Sequence, residues 1–453
     1  MSDTNFTASR GGFTSKSGFI LAAAGSAVGL GNIWRFPYMT GINGGGAFVL
    51  IYVICLCLIG VPLLLVEFSV GRHGKANAID SYAKINEKVK FIGYIGLFSS
   101  PMFLSYYSVV SGWTIYYTVR SFTGLRNVPA DVMGDFFGSF ISNPTLPLLF
   151  LAIFIFLTVY IVANGVSDGI EKYSKILMPI LFIFIVILVI RSATLSGFKQ
   201  GIAWYLTPDF SKITPAVIVA ACGQIFFSLS VGMSGMVTYA SYLKGDENLI
   251  KTAGIVSFFD ALVAILAGLV IFPAVFTYGF EPGAGPSLVF ITLPAVFNAM
   301  PFGSFFAFIF FALLIVANLT SSISILEMPV AYLIEKKGFT RPKAAIFIGV
   351  IGFILGIAVS LGFGVWSGVT FFGVMSIFDV MDYLGSNVIL PFCGLAAAVA
   401  VGWIWNKGAV AEVTNGGTNS QGLGRIWIGL VRYLVPILMA IIFMGQIGII
   451  KLG

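Results

Sequence analysis

Two stretches of this sequence place glycine and serine in the middle of otherwise apolar runs: Gly25-Ser26-Ala27-Val28-Gly29-Leu30-Gly31-Asn32 and Phe227-Ser228-Leu229-Ser230-Val231-Gly232. Small residues at such places commonly serve close helix packing. They also permit a helix to be interrupted. A break frees amides at one half-helix end and carbonyls at the other, so a single interruption offers an anion site beside a cation site. Hydroxyls occur in other apolar runs, at Thr320-Ser321-Ser322 and at Tyr106-Tyr107 just after Pro101. Hard cations prefer oxygen ligands, and carbonyls, hydroxyls and amide oxygens are what these stretches carry. No His-Cys cluster and no nucleophile with a paired base accompanies them, so the residues give catalysis no support.

Such breaks need an apolar setting, and the rest of the chain supplies one. Apolar residues fill 58% of 453 positions and charged residues 9%, against roughly 25% charged in soluble domains. Backbone groups inside a bilayer must be satisfied within the protein, which leaves helices or closed barrels; runs of about 20 residues fit helices and exceed barrel strands of about 10. The runs fall near 17–41, 47–71, 90–123, 147–164, 170–191, 215–242, 252–278, 304–334, 344–362, 371–405 and 426–450. They predict an all-α polytopic membrane protein of about eleven helices. A polar lead (1–16) precedes one block (17–191), a second block (215–405) and a last helix (426–450). Residues 279–303, rich in Pro and Gly, read as an outer loop with short helices capping the core, and 415–424 as a flexible loop.

Basic residues gather in alternate loops, among them Arg72, Lys84, Lys172, Lys251, Lys336, Arg341 and Lys407, whereas the intervening loops hold little beyond Arg126, Lys199 and Lys212. This bias orients the N-terminus toward the cytoplasm of a bacterial inner membrane and, with an odd number of helices, the C-terminus outside. It also accounts for the net charge of +7 without nucleic acid. Cys55, Cys57, Cys222 and Cys393 lie inside apolar runs without paired spacing and read as free thiols. No cleavage site follows the first apolar run, so no leader is expected. His73 reads as a solvated loop residue.

The two interruptions stand first in each of two five-helix blocks, the arrangement of an inverted repeat with its site at the midplane. The residues there also carry a family resemblance. The run GSAVGLGNIWRFPY from Gly25 to Tyr38, followed by NGGGAF from Asn43 to Phe48, resembles the first-helix signature of the neurotransmitter:sodium symporter family. GQIFFSLS (223–230), TYASY (238–242) and LTSS (319–322) are similar to further blocks of that family, in order and over essentially the whole chain. Eleven helices with short termini resemble its bacterial amino-acid branch.

The resemblance implies a 5+5 inverted repeat, unwound first and sixth helices, one extra C-terminal helix, and a functional monomer carrying a neutral amino acid with two sodium ions. One sodium site would use Ala27, Asn32, Ser228 and Asp260; the other Gly25, Val28, Ala317, Thr320 and Ser321. Amides near Leu30 and Gly31 with the Tyr107 hydroxyl would hold the substrate carboxylate. Phe103, Val110, Phe227, Ser230, Met233, Ser324 and Ile325 would line the side-chain pocket, beside Ala27, Ser228 and Ser321. Gly29 stands where monoamine-carrying relatives have an Asp, which implies a substrate bringing its own carboxylate. The apolar lining and flexible Met233 imply breadth among leucine, isoleucine, valine, methionine, phenylalanine, tyrosine and tryptophan.

Intramembrane charges cost a few kcal/mol each and face protein or water by default. By resemblance, Arg35 and Asp382, with Tyr107 and Phe227, form an outer gate, and Arg10, Phe13, Ser241, Tyr242 and Glu335 an inner one, although the family usually has Trp at 13 and Asp at 335. Glu67 would satisfy amides freed in the sixth helix. Glu327 reads as a protonated packing residue or a proton handler. Asp260 replaces the usual Asn near where animal relatives bind chloride, using Tyr52, Gln224, Ser228 and a Ser that is Ala264 here; its carboxylate implies no chloride requirement. Gly169 and Pro179, ten apart, match a family motif linked to unwinding of the fifth helix, with a simple kink as the other reading. A carrier of glycine or another small zwitterion is the nearest rival, and an amino-acid-gated channel or receptor the rival from another class.

Overall fold

The computed structural model describes residues 11–243, 245, 247–282, 288–419 and 421–450. Arg10 lies outside them. Helices account for nearly all of the described chain: α1 (Lys16–Ala27) and α2 (Gly31–Ile42), α3 (Gly46–Gly74), α4 (Phe91–Thr123), α5 (Leu146–Ala163), α6 (Val166–Ala193), α7 (Pro215–Ser228) and α8 (Gly235–Ala240), α9 (Leu249–Thr277), α10 (Gly303–Lys337), α11 (Arg341–Leu361), α12 (Ile377–Trp405) and α13 (Gln421–Gln446). Short helices at Ala78–Ile85, Met133–Ile141, Phe198–Leu206 and Thr292–Ala299 fill the connections.

Among the described residues, eight helices are long and apolar enough to cross a bilayer, or nine when the pair α1 and α2, bent by 46°, counts as one span. The chain is therefore a multi-pass membrane protein. Two of the eleven expected segments fall outside that count for physical reasons. α4 runs for 33 residues, about 50 Å at 1.5 Å per residue, but its serines and tyrosines make it polar. The sixth segment is divided, α7 covering 14 residues and α8 only 6.

The tenth helix starts later than the apolar run at 371–405. Residues Phe371 and Met375 bridge in a tight turn, and Ser376 with Asp379 forms a capping box that starts α12 at Ile377. At the other end, 421–424 belong to α13 and not to the preceding loop, while Lys407–Val413 is a short helix.

Burial separates a centre from a rim. In α10, 83% of the most apolar window is buried, against 28% in α6. Exposed Ile176, Ile183 and Ile190 recur every seventh residue along α6, an outward apolar stripe suited to lipid. α10 packs along α4, with α11 and α5 beside them, while α1 lies against α9, α6 and α10. Glu67, Asp260 and Glu327 are each at most 2% exposed. Asp260 and Glu67 hydrogen-bond to residues at the two breaks, whereas Glu327 meets Arg341 and Tyr242.

Candidate functional site

The first break begins where α1 ends at Ala27 and Val28 turns extended (φ −80°, ψ 108°). Three amides that would have continued the helix are diverted. Gly29 N–H donates to Asn32 Oδ1 at 3.0 Å, Leu30 N–H to the Tyr107 hydroxyl at 3.4 Å, and Asn32 N–H to Gly29 O at 3.1 Å. The carbonyls of Gly25, Ser26 and Val28 thereby lose their helical partners. Ser321 Oγ, from α10, lies 3.4, 3.1 and 3.2 Å from those three oxygens and 3.3 Å from Ala317 O. Thr320 Oγ1 adds another oxygen, 2.9 Å from Ala317 O. A hydroxyl has one proton to donate, so most of these lone pairs are unsatisfied by it. The donor set is all oxygen and neutral, which fits a hard monovalent cation.

One turn further on, a second cluster gathers around Asp260, which is 0% exposed. Asn32 Nδ2 donates to Asp260 Oδ1 at 2.7 Å, Ser228 Oγ to the same oxygen at 2.6 Å, and the Tyr52 hydroxyl to Oδ2 at 2.8 Å. All three partners are neutral, and together they satisfy both oxygens of this buried carboxyl beside the break. Gln224 Nε2 is turned away onto Gly31 O at 2.6 Å, and Ala264 is buried in α9.

A cavity of about 30 Å³ lies against both breaks, room for one or two waters. Ala27, Gly29, Leu30, Gly31, Phe103 and Tyr107 line it from one side. Phe227, Ser230, Met233, Ser321 and Ile325 line it from the other. Val110, Ser228 and Ser324 are buried but off its wall; Ser324 instead donates to Ser321 O at 2.8 Å and accepts from Ser26 Oγ at 2.6 Å. Phe226 and Leu390 line it without having been anticipated, and Tyr106, singled out only as a hydroxyl beside Tyr107, lines it as well. Tyr106 follows from helical spacing with Phe103, whereas Leu390 comes from α12 just past a π-helical stretch (Tyr383–Ile389) that shifts which residues face inward.

The sixth-helix break spans residues 229–234, with Ser230, Gly232 and Ser234 at positive φ. Glu67 Oε1 accepts from Gly232 N–H at 2.6 Å and so satisfies a buried amide freed by the break.

The charged residues singled out in the sequence have other partners here. Arg35 and Asp382 do not form an ion pair in this structure: the Arg35 guanidinium lies over the Phe227 ring at 4.7 Å, and Asp382 accepts from Ser386 Oγ at 2.8 Å. The ring competes for the cation, and a hydroxyl one turn along takes the carboxylate. Glu327 is not a lone packing carboxyl, because Arg341 Nη1 and Nη2 bind it at 2.7 and 3.1 Å and the Tyr242 hydroxyl donates to it. His73 is not merely solvated; its ring lies tilted against Trp405, centroids 4.7 Å apart, with Nδ1 3.6 Å from Glu412. Burial pushes the Glu412 carboxyl up, but hydrogen bonds from His73 and Arg72 outweigh it and hold the group below the usual range.

Phe13 packs edge-on against Phe19, Tyr239 and Tyr242. Ser241 Oγ donates to Thr238 O at 2.6 Å, and Glu335 accepts from the Asn77 backbone and side chain at 2.7 and 2.6 Å. Gly169 lies in a π-helical turn, Val166–Glu171, and Pro179 ten residues on in the same span. Glu171, not singled out in the sequence, ties this turn to the start of α1: it accepts from Thr14 N at 2.6 Å and Ser15 Oγ at 2.7 Å.

The profile of the sodium:neurotransmitter symporter family matches residues 10–130 and 139–451. The chain is similar to an uncharacterised sodium-dependent transporter of Bacillus subtilis, YhdH, at 42% identity over 97% of this chain and 98% of the relative. A second uncharacterised sodium-dependent transporter, from Haemophilus influenzae, is 40% identical over 96% and 98%. The crystal structure of MhsT in complex with L-phenylalanine superposes with a TM-score of 0.89 at 43% identity, covering 96% of this chain and all of that one.

Proposed function

The chain belongs to the sodium:neurotransmitter symporter family, and from that premise we propose that it is a sodium-coupled symporter of neutral, hydrophobic L-amino acids working by alternating access. The observation that carries this reading is the break at residues 28–30, where diverted amides and released carbonyls meet the hydroxyls of Tyr107 and Ser321. The amides near Leu30 and Gly31, with Tyr107, take the substrate carboxylate. One sodium ion lies among Ala27 O, Asn32, Ser228, Asp260 and that carboxylate; a second among Gly25 O, Val28 O, Ala317 O, Thr320 and Ser321. Carboxylate and first ion share charge, so each tightens the other's binding.

A carbon added at Gly29 would meet Ser321 Oγ at 2.4 Å and Tyr107 Oη at 2.6 Å. A carboxyl side chain there would displace both, so the substrate supplies its own. Phe103, Phe227, Met233 and Ile325 select apolar side chains, and the likeness to MhsT, which binds phenylalanine, supports that class. Admitting such a side chain into the small cavity requires Met233 and Phe227 to give way, and a thioether does so at low cost. Arg35, freed from Phe227, then closes toward Asp382. Phe13, Ser241, Tyr242 and Glu335 hold the opposite side, which the basic loops place in the cytoplasm. The working unit is a monomer in a bacterial inner membrane. Unwinding between Gly169 and Pro179, where one residue weakens the helix and the other lacks a donor, opens that side; Pro179→Ala slows inward sodium release several-fold in stopped-flow assays, and an unchanged rate refutes the hinge.

Asp260 supplies the negative charge that chloride brings elsewhere in the family, and two of the donors an anion would need, Tyr52 and Ser228, already bind it. The test is reconstitution in liposomes with labelled leucine and tryptophan. Uptake requires an inward sodium gradient, survives replacement of chloride by gluconate, and in Asp260→Asn becomes chloride-dependent. Gradient-independent flux sinks the symport reading; glycine outcompeting leucine sinks the selectivity.

A further inference from the structure

Away from the breaks, the end of α6 and the start of α10 enclose a groove of about 550 Å³, within the roughly 300–1,000 Å³ of ligand sites. Ile187, Ile190, Pro301, Phe302, Phe305 and Phe306 form its walls. Ile190, Phe302 and Phe305 are 62%, 80% and 50% exposed, on the outward side where lipid lies. Phe302 is held at φ 57° as the residue preceding α10. A bulky side chain in the left-handed region is strained, and strain of this kind persists where surroundings or function require it.

One cation stands at the mouth of this groove. Arg191 lies in the last turn of α6. The span Val166–Ala193 has 28 residues, about 42 Å of helix against about 30 Å of hydrocarbon, so its end reaches the headgroups. Arg191 Nη1 donates to Thr194 Oγ1 at 2.6 Å, and its guanidinium lies 5.4 Å from the centre of the Phe306 ring. Its Nε is buried without an acceptor, and among the described residues it makes no ion pair. A shielded N–H of a charged group without an acceptor is costly, and an apolar trough leading away from it has room for a chain.

We propose that this groove binds one anionic phospholipid of the surrounding bilayer, its phosphate on Arg191 and an acyl chain along Ile187, Ile190, Phe302 and Phe305. Charge complementarity selects the occupant. A zwitterionic lipid also has a phosphate, but its own cation competes with Arg191 for it, whereas a net-negative headgroup leaves the phosphate to the guanidinium. Guanidinium geometry favours a two-pronged contact that a lysine cannot reproduce. This assignment does not depend on what the protein transports.

Native mass spectrometry of the full chain in detergent, titrated with phosphatidylglycerol or phosphatidylcholine, reads the site directly. One phosphatidylglycerol is retained at about tenfold lower concentration than phosphatidylcholine, the scale of a charge-assisted hydrogen bond. Arg191→Gln removes the preference, whereas Arg126→Gln, at an exposed loop position, leaves it. Ile190→Trp, which fills the trough and leaves Arg191 in place, lowers retention of both lipids and keeps the proposal testable if Arg191→Gln folds poorly. Excess inorganic phosphate does not compete, because it lacks the chain. Equal retention of the two lipids by the unmodified protein, or an undiminished preference in Arg191→Gln, overturns the proposal.

Discussion

The two interrupted helices lie side by side at the cavity, yet they are broken in different ways. In the first, none of residues 28–30 has a positive φ, and the break consists of amides and carbonyls redirected by a 46° bend. In the second, residues 229–234 form a loop in which Ser230 (φ 53°) and Ser234 (φ 65°) occupy the left-handed region with Gly232 (φ 96°), at a cost on the order of 1–2 kcal/mol for each serine. Glu67 pins that loop through Gly232 N–H. The first break leaves its polar groups to the cavity, whereas the second commits its own to holding a shape. On the proposed reading the difference gives ion and carboxylate chemistry mainly to the first, with Ser228 at the edge of the second as its partner, and side-chain fit to the loop of the second.

A methyl group placed on each break separates the two roles most strongly. At Gly29 the new carbon meets Ser321 Oγ and Tyr107 Oη, the ends of side chains, which can rotate away. Gly29→Ala therefore folds normally but displaces the two hydroxyls that face the break, and sodium-driven uptake falls about 100-fold, the scale of an angstrom-level misplacement. At Gly232 the new carbon meets the backbone oxygen of Leu390 at 2.4 Å, in a residue with φ 96°. Gly232→Ala is destabilised by about 2 kcal/mol, read as an earlier thermal transition in detergent. Early melting of Gly29→Ala together with normal behaviour of Gly232→Ala breaks the division.

Removing one hydroxyl from each side is a gentler probe. Ser321→Ala deletes an oxygen that faces four carbonyls, and the sodium concentration for half-maximal uptake rises about tenfold. Ser230→Ala removes a single bond to Ser26 O, 2.9 Å long, and the same quantity moves less than about threefold. A larger shift for Ser230→Ala reverses the assignment.

How much of this was legible depended on the kind of group. Bilayer-length apolar runs announce helices because a single physical constraint sets their length, so the all-α membrane fold was readable even where α4 is polar and α7 is short. Backbone ligands at the first break were legible through Gly and Ser, since those residues make the break. Contacts between distant side chains were not. Glu327 and Arg341 sit at opposite sides of a helix-to-helix turn and read separately as a packing carboxyl and a topological cation, although they meet at 2.7 Å. The Arg35 and Asp382 pairing came from the resemblance alone, and here Phe227 and Ser386 take the two partners instead. Leu390 was invisible because π-helical turns in α12 alter facing without altering composition.

The smallest expected effect concerns the second break alone. Met233 sits in the strained loop between Gly232 and Ser234 and lines the cavity, so its three rotatable bonds absorb differences in substrate shape that the rigid backbone around it cannot. Met233→Leu keeps the volume and removes most of that freedom, a swap that costs under about 1.5 kcal/mol in a packed core. Uptake of leucine should then hold within about twofold, tryptophan should lose a few-fold relative to it, and sodium dependence should not move. Competition of the two amino acids against one labelled substrate measures the ratio. A shift in sodium dependence of the same size would mean that the second break also participates in ion binding, and that charge and shape are not divided between the two helices.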